Sequence, residues 1–255
     1  MEKLKQQLSS LIARLERAAD LRGELESLVS VYPFSEYEYV IAHLLAGSKL
    51  TLEEYHELRR EYIDRNLYLY LFEISAPRGF GEVWAHGHLK ELAPAFQRPS
   101  KKLDPEYSGQ YDFFLPPAIR IEAKASRAVD FDSDEPLYVK ALSSDSQKRF
   151  DMNFQQIKPR CCDVFVWVAA WRDVIRHWVI PSYEVEHNRH FSPGQHRGNI
   201  GEGQRHLNQD NISEFDSYLV KSTEIEGAVR QAFEKNTELR RSAGYPHSAL
   251  EKGAR

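Results

Sequence analysis

Apolar side chains recur at three- and four-residue steps through the front third of the chain and at two-residue steps in its middle, so a helical layer should precede a sheet. Leu4, Leu8, Leu11, Ile12 and Leu15 form one helical stripe within the first thirty residues. Ser35 with Glu38, and Thr51 with Glu54, have the spacing of a capping box, and each opens a helical stretch: Tyr39 to Leu45, then Leu52 to Phe72. Pro77, Gly79 and Gly81 interrupt the pattern, and Glu82 to Leu92 reads as a further helix that stops before Pro94.

Beyond a basic, loop-like stretch from Arg98 to Pro105 the period changes to two. Tyr111 to Leu115 and Ala118 to Ala125 are strands on either side of Pro116 and Pro117, so neither proline interrupts a strand interior. Arg127 to Leu142 is acidic and irregular, and a helix is predicted over Ser146 to Lys158, ended by Pro159. Val164 to Trp171 is nearly all apolar, as a central strand covered on both faces would be. Arg172 and Asp173 turn the chain into a strand over Val174 to Ile180. His187 to His206, rich in Gly, His and Arg, reads as a loop or short hairpin, followed by helices over Ile212 to Leu219 and Glu224 to Leu239. The tail beyond Ser242 has little to order it. The fold class is α/β, one domain over 1–255, with a helical N-terminal layer over 1–75, a core over 78–185 and a loop with C-terminal helices over 186–240.

The alternation fixes a register. Ile119, Ile121, Ala123 and Ala125 make one face of the second strand, leaving Arg120, Glu122 and Lys124 on the other; Tyr111, Phe113 and Leu115 make the apolar face of the first, leaving Asp112 and Phe114 on the other. Directly opposed residues of an antiparallel pair share a face, so matching the two apolar sets requires an odd-numbered connection. A three-residue turn, Pro116 to Ala118, sets Leu115 against Ile119, Phe113 against Ile121, and Asp112 against Glu122 at a Cα separation of roughly 4.5–5.5 Å.

Two carboxylates held so close repel and raise one pKa unless a cation lies between them. Magnesium takes oxygen ligands, commonly one or two carboxylates plus phosphate oxygens and water. Asp112 and Glu122 are therefore candidate magnesium ligands, with Lys124 beside them to position an attacking water.

Tyr111-Asp112, a short spacer, then Glu122-Ala123-Lys124 resembles the PD-(D/E)xK nuclease motif, with tyrosine where the name has proline. A helix bearing Glu82 before the hairpin, and after it a helix with Gln155 and Gln156 and then a buried strand, extend the resemblance to type II restriction endonucleases over residues 78–185. It implies a restriction-endonuclease-like mixed central sheet flanked by helices, magnesium dependence and a homodimer. It also implies a further acid from Glu82 and a site contact from Gln155 or Gln156. The expected activity is magnesium-dependent hydrolysis of double-stranded DNA at a short specific sequence. A structure-specific or repair nuclease and a non-catalytic DNA-binding protein are the rival readings. Glu82 serves equally as a first-turn acid on the helix dipole, and the Glu122–Lys124 pair as an ordinary charge pair on a solvated strand.

A net charge of −4 and a pI near 6.2 exclude a chain held to nucleic acid by bulk positive charge, so phosphate contacts must be local. Arg189, His190, Arg197 and Arg205 in the Gly- and His-rich segment, with Lys148 and Arg149, are candidate DNA contacts; an ordinary polar surface loop is the competing reading. The histidines there match no common zinc spacing. Trp167, Trp171 and Trp178 belong to the core. The two cysteines, Cys161 and Cys162, are adjacent and suit neither a disulfide framework nor zinc, which points to a reducing cytoplasm. No stretch is apolar for long enough to suggest a signal peptide or a membrane span.

Overall fold

The computed structural model describes residues 6, 7, 10, 11, 13, 14, 33–76, 78–194 and 200–245. Most of the N-terminal stripe, with Leu4, Leu8, Ile12 and Leu15, and the tail past Tyr245 lie outside the described residues. Contacts gather the chain into two compact units. One comprises Met1–Ser75, Ala128–Lys148 and Trp171–Val174; the other comprises Ala76–Arg127, Arg149–Ala170 and Ile175–Arg255. No helix among the described residues is long and apolar enough to cross a membrane.

In the first unit, α1 (Pro33–Ala46) and α2 (Leu52–Arg65) bury their apolar stripes against each other. Tyr37, Val40, Ile41 and Leu44 meet Leu50 and Tyr62, with Leu11 joining them, and the Tyr37 and Tyr62 rings stack at 4.5 Å. The predicted capping box at Thr51 is present: its N–H donates to Glu54 Oε2 (2.8 Å) while the Glu54 N–H donates to Thr51 Oγ1 (3.1 Å). The box predicted at Ser35 is not where a helix begins, because α1 already starts at Pro33. The second helix ends at Arg65 rather than reaching Phe72. The Tyr68 N–H leaves the helical ladder to donate to the Arg172 carbonyl (2.8 Å), and the chain tightens into a 3₁₀ turn at Leu69–Glu73.

The second unit is built on two sheets. After a π-helical turn at Gly79–Ala85, α3 (His86–Leu92) leads to β1 (Phe113–Leu115) and β2 (Ile119–Arg127), and then to β3 (Asp151–Ile157), β4 (Val164–Ala170) and β5 (Ile175–Pro181). The short α4 (Ser182–Glu186), β6 (Ser192–Gly194), β7 (Ile200–Asn208), a 3₁₀ turn at Ile212–Tyr218, β8 (Leu219–Val220) and α5 (Ile225–Ser242) complete it. The larger sheet has the order β1-β2-β4-β5-β8, with β2 and β4 parallel and the other pairs antiparallel; the smaller has the order β3-β7-β6. The architecture is thus mixed α/β with a mixed five-stranded sheet.

Every residue of β4 is buried, as its uninterrupted apolar run predicts. Val164, Val166 and Val168 face Leu89 of α3 and Ile225 and Val229 of α5, together with Ile121 and Ala123 of β2. The alternate residue Trp167 points to the opposite face, where its ring stacks on Phe154 of β3 at 4.9 Å. Helices cover one face of the central sheet, and the smaller sheet lies against the other. Trp167, Trp171 and Trp178 are 0%, 3% and 1% exposed, so all three are core residues as expected.

The helix predicted over Ser146 to Lys158 is instead a loop followed by β3, and Gln155 and Gln156 are strand residues. Phe150, Met152 and Phe154 alternate inward with period two, and pairing with β7 satisfies the backbone. At Gln156 the backbone is left-handed (φ 56°) and the register shifts between Phe154 and Ile157. That irregularity turns Ile157 inward three residues after Phe154 and gives the segment its misleading helical spacing.

On the helix side of the sheet the rings of Phe80, Trp84 and His88 stack at successive turns, and His88 stacks in turn on His177 of β5. The two imidazole Nε2 atoms lie 3.0 Å apart, and His177 is 3% exposed. Burial, with His88 beside it, pushes His177 down to about 4, and burial lowers His88 as well. At His177 the folded state therefore binds fewer protons than the unfolded state between pH 6.5 and about 4, and the stability contributed there changes accordingly. Stability is present in full above the upper limit and lost as pH falls through the window. The loss attributable to His177 is about 3 kcal/mol. Urea unfolding of the protein and of His177→Phe at several pH values should show a smaller loss on acidification in the latter, where His88 alone of the pair remains.

Candidate functional site

The β1–β2 hairpin has the predicted register: Phe113 opposes Ile121, Phe114 opposes Arg120 and Leu115 opposes Ile119, around a three-residue connection. Asp112 sits one residue before β1 and is tied to β2 at two points. Its N–H donates to the Ile121 carbonyl (3.0 Å), and its Oδ2 accepts from the Ala123 N–H (2.9 Å), so the carboxylate acts as a ladder acceptor. Glu122 and Lys124 alternate with the core residues Ile121 and Ala123, and Lys124 Nζ lies 2.5 Å from Glu122 Oε1. The structure thus brings Asp112, Glu122 and Lys124 together, within the second unit.

The electrostatics are those of two acids sharing one cation. Burial pushes the Glu122 carboxyl up to about 7; Lys124 opposes the rise and Asp112 adds to it. Burial pushes Asp112 upward too, but His86, the Ala123 N–H and Lys124 outweigh it and hold the group below the ordinary carboxylate range. His86, at the start of α3, lies with Nε2 3.6 Å from Asp112 Oδ1 and its ring edge-on to Phe113. Sequence reasoning missed this residue. The only signal was its position one helical turn after Glu82, and nothing in that spacing distinguishes it among ten histidines.

Glu82 itself is turned away. It is 58% exposed and pairs with Arg78 at 2.6 Å, as an i,i+4 helix-surface pair. Gln155 is exposed on β3, not carried on a helix beside the site.

The candidate DNA contacts separate. Arg205 is corrected outright: it is 0% exposed on β7, between the rings of Trp167 (5.2 Å) and Phe215 (5.1 Å), with Nη2 donating to the Val185 carbonyl at 3.3 Å. Its alternation with exposed neighbours explains the burial, because Gly203, Arg205 and Leu207 face in while Gln204 and His206 are half-buried. A guanidinium enclosed in this way cannot reach a duplex, and burial pushes it down to about 10. Arg205→Met should therefore leave DNA affinity unchanged and hold or raise stability, by up to about 4 kcal/mol in chemical denaturation, since an apolar residue of similar volume avoids the desolvation cost. Arg189 and His190 remain at the surface, both engaged by Glu214, the histidine at 3.0 Å. Lys148 pairs with Asp130 (2.8 Å) in the first unit, Arg149 is exposed, and Arg197 lies outside the described residues.

Among the described residues no three His, Cys, Asp or Glu side chains converge as a metal cage. A two-carboxylate site suits magnesium nonetheless, because that ion keeps several waters and borrows phosphate oxygens. The donor set fits: oxygen ligands only, two neighbouring acids against the single ammonium of Lys124, and a Glu122 carboxyl raised chiefly by burial and further by Asp112. No family model matches the chain, and no curated protein shows significant similarity to it.

Proposed function

We propose that the chain is a magnesium-dependent endonuclease of the restriction-endonuclease-like class, acting on double-stranded DNA at a short specific sequence. The observation that carries this reading is the partly buried Asp112–Glu122–Lys124 cluster, held by a hairpin whose register follows from its own apolar faces. Asp112 and Glu122 would hold the ion, whose chemistry is to polarise the scissile phosphate and acidify a water. Asp112 is kept ionised chiefly by His86 and oriented by the Ala123 N–H, so one ligand is preorganised before substrate arrives. Lys124 holds Glu122 in place and presents an ammonium where charge accumulates on the phosphate and where an attacking water must be positioned. His86 supports the Asp112 carboxylate from the helix side.

Cutting both strands of a two-fold symmetric site calls for a homodimer. The absence of a cysteine framework agrees with action in a cytoplasm. Incubation with phage DNA of known sequence and magnesium tests the proposal. Discrete, reproducible fragments are the expected result. A smear, or cutting confined to branched DNA, would move the reading to a structure-specific or repair nuclease, and no cutting at any divalent ion would leave a DNA-binding protein on a nuclease-like frame.

A further inference from the structure

The chain as a whole is acidic, yet the loop that leads into the β1–β2 hairpin presents three exposed cations, Arg98, Lys101 and Lys102. Two acids share the loop, Asp104 and Glu106, and both are turned onto Arg120 of β2, at 2.8 Å and 3.0 Å. Neither is left to neutralise the three cations. Among the described residues no carboxylate pairs with Arg98, Lys101 or Lys102. The other candidate phosphate contacts differ in this respect, since Arg189 is engaged by Glu214 and Lys148 by Asp130.

The loop is clamped at both ends. Gln97 bridges to Phe114 along the outer edge of β1, each N–H donating to the other's carbonyl at 2.8 Å. The Ser100 carbonyl then accepts from the N–H groups of Leu103 (3.0 Å) and Asp104 (2.9 Å), which closes a tight turn over Lys101 and Lys102. Asp104, 6% exposed, pins the far end: besides Arg120 its carboxylate accepts from the Tyr111 hydroxyl (2.8 Å) and the Glu106 N–H (3.0 Å). Both side-chain anchors adjoin the candidate site, because Tyr111 immediately precedes Asp112 and Arg120 stands two residues before Glu122. The backbone beneath the cations is therefore set before any ligand arrives, and little ordering remains to oppose binding.

We propose that the loop carrying Arg98, Lys101 and Lys102 grips the phosphate backbone of a DNA duplex lying across the Asp112–Glu122–Lys124 cluster. The choice of partner rests on the nuclease reading; the surface that holds the partner is what the loop adds. Lysine ammonium groups are point charges suited to successive phosphodiesters, and the arginine can fork onto one phosphate. An acidic chain needs such a local positive surface to bind a polyanion at all, and contacts of this kind supply affinity without reading sequence. By fixing the loop to Tyr111 and Arg120, the fold ties the backbone contact to the strands that carry the two acids.

Fluorescence anisotropy of the full chain with a labelled mixed-sequence duplex, free of divalent ions and repeated across a series of potassium chloride concentrations, tests the assignment. The logarithm of the wild-type affinity should fall linearly with the logarithm of salt concentration, by roughly 0.9 for each phosphate contact. The double variant Lys101→Gln/Lys102→Gln should lower that slope by about two and weaken binding about tenfold or more near 0.1 M salt. Lys221→Gln, at an exposed lysine beside Glu224, should change neither. An unaltered slope in the double variant, an equal fall in Lys221→Gln, or a wild type that binds no duplex would each overturn the inference. Cleavage with magnesium is scored separately. Discrete fragments beside an unaltered slope would sink the loop assignment and leave the nuclease reading; a lowered slope without cutting would do the reverse. The double variant should yield the wild-type fragment pattern, since phosphate contacts carry no sequence information, and a changed pattern would overturn the backbone assignment in favour of base contact.

Discussion

Lys124→Ala and Asp112→Asn are each expected to lower magnesium-dependent DNA cleavage by about 10²–10³-fold or more, the usual cost of removing a preorganised group that meets charge in the transition state. The two substitutions probe different parts of the cluster. Asparagine at 112 keeps the shape of aspartate, and its amide oxygen can still accept from the Ala123 N–H, so the hairpin should persist while a charged metal ligand is lost. Alanine at 124 removes the ammonium 2.5 Å from Glu122 and leaves that already raised carboxyl without its neighbouring cation. Single-turnover cleavage with saturating enzyme, read beside DNA binding in the absence of metal, separates loss of chemistry from loss of affinity. Binding should be retained in both variants. Cleavage within tenfold of the wild type in either variant would remove that residue from the assigned site.

The largest loss of stability is expected from Trp167→Ala, at about 3–5 kcal/mol. The indole is 0% exposed, stacks on Phe154 of the smaller sheet at 4.9 Å, approaches Phe215 at 5.8 Å and lies beneath the Arg205 guanidinium. Alanine there would open a cavity between the two sheets and strip Arg205 of one of its aromatic walls, leaving a buried cation less well accommodated. Because Trp167 is the register partner of Lys124 across the β2–β4 pair, cleavage should fall along with stability. Urea unfolding should show a lower midpoint with little change in slope. A shift worth less than about 1 kcal/mol would mean that the two sheets are not held together through this residue.

What could be read from the chain beforehand depended on whether a pattern had a single solution. The hairpin did: two apolar faces of period two, separated by a proline pair, can be matched in one parity only, and the observed pairing of Phe113 with Ile121 follows. Val164 to Ala170 was equally plain, since nothing but a doubly covered strand accommodates so uniform an apolar run in a sheet of this size. The stretch from Phe150 to Ile157 was not, because an irregularity at Gln156 breaks the alternation and mimics a helical step. Arg205 was misread through composition. Its glycine- and histidine-rich surroundings suggested a surface loop, although its parity with Leu207 marked the inward face. His86 was beyond reach, for its meeting with Asp112 depends on how α3 packs beside the hairpin, and that is a tertiary fact.

The parallel pairing of β2 with β4 bears on how the protein can be dissected. Both strands finish at the points where the chain passes out of one compact unit into the other, at Arg127 and at Ala170, so the polypeptide passes from unit to unit repeatedly instead of completing one and beginning the next. An N-terminal truncation at Ser75 would not release a tidy catalytic fragment. It would leave Asp145 without Arg65, and the Arg172 carbonyl without the Tyr68 N–H, in the middle of what remained. Any engineering of the β-hairpin must therefore reckon with a chain that continues from β2 straight into the unit to which the N-terminal helices belong.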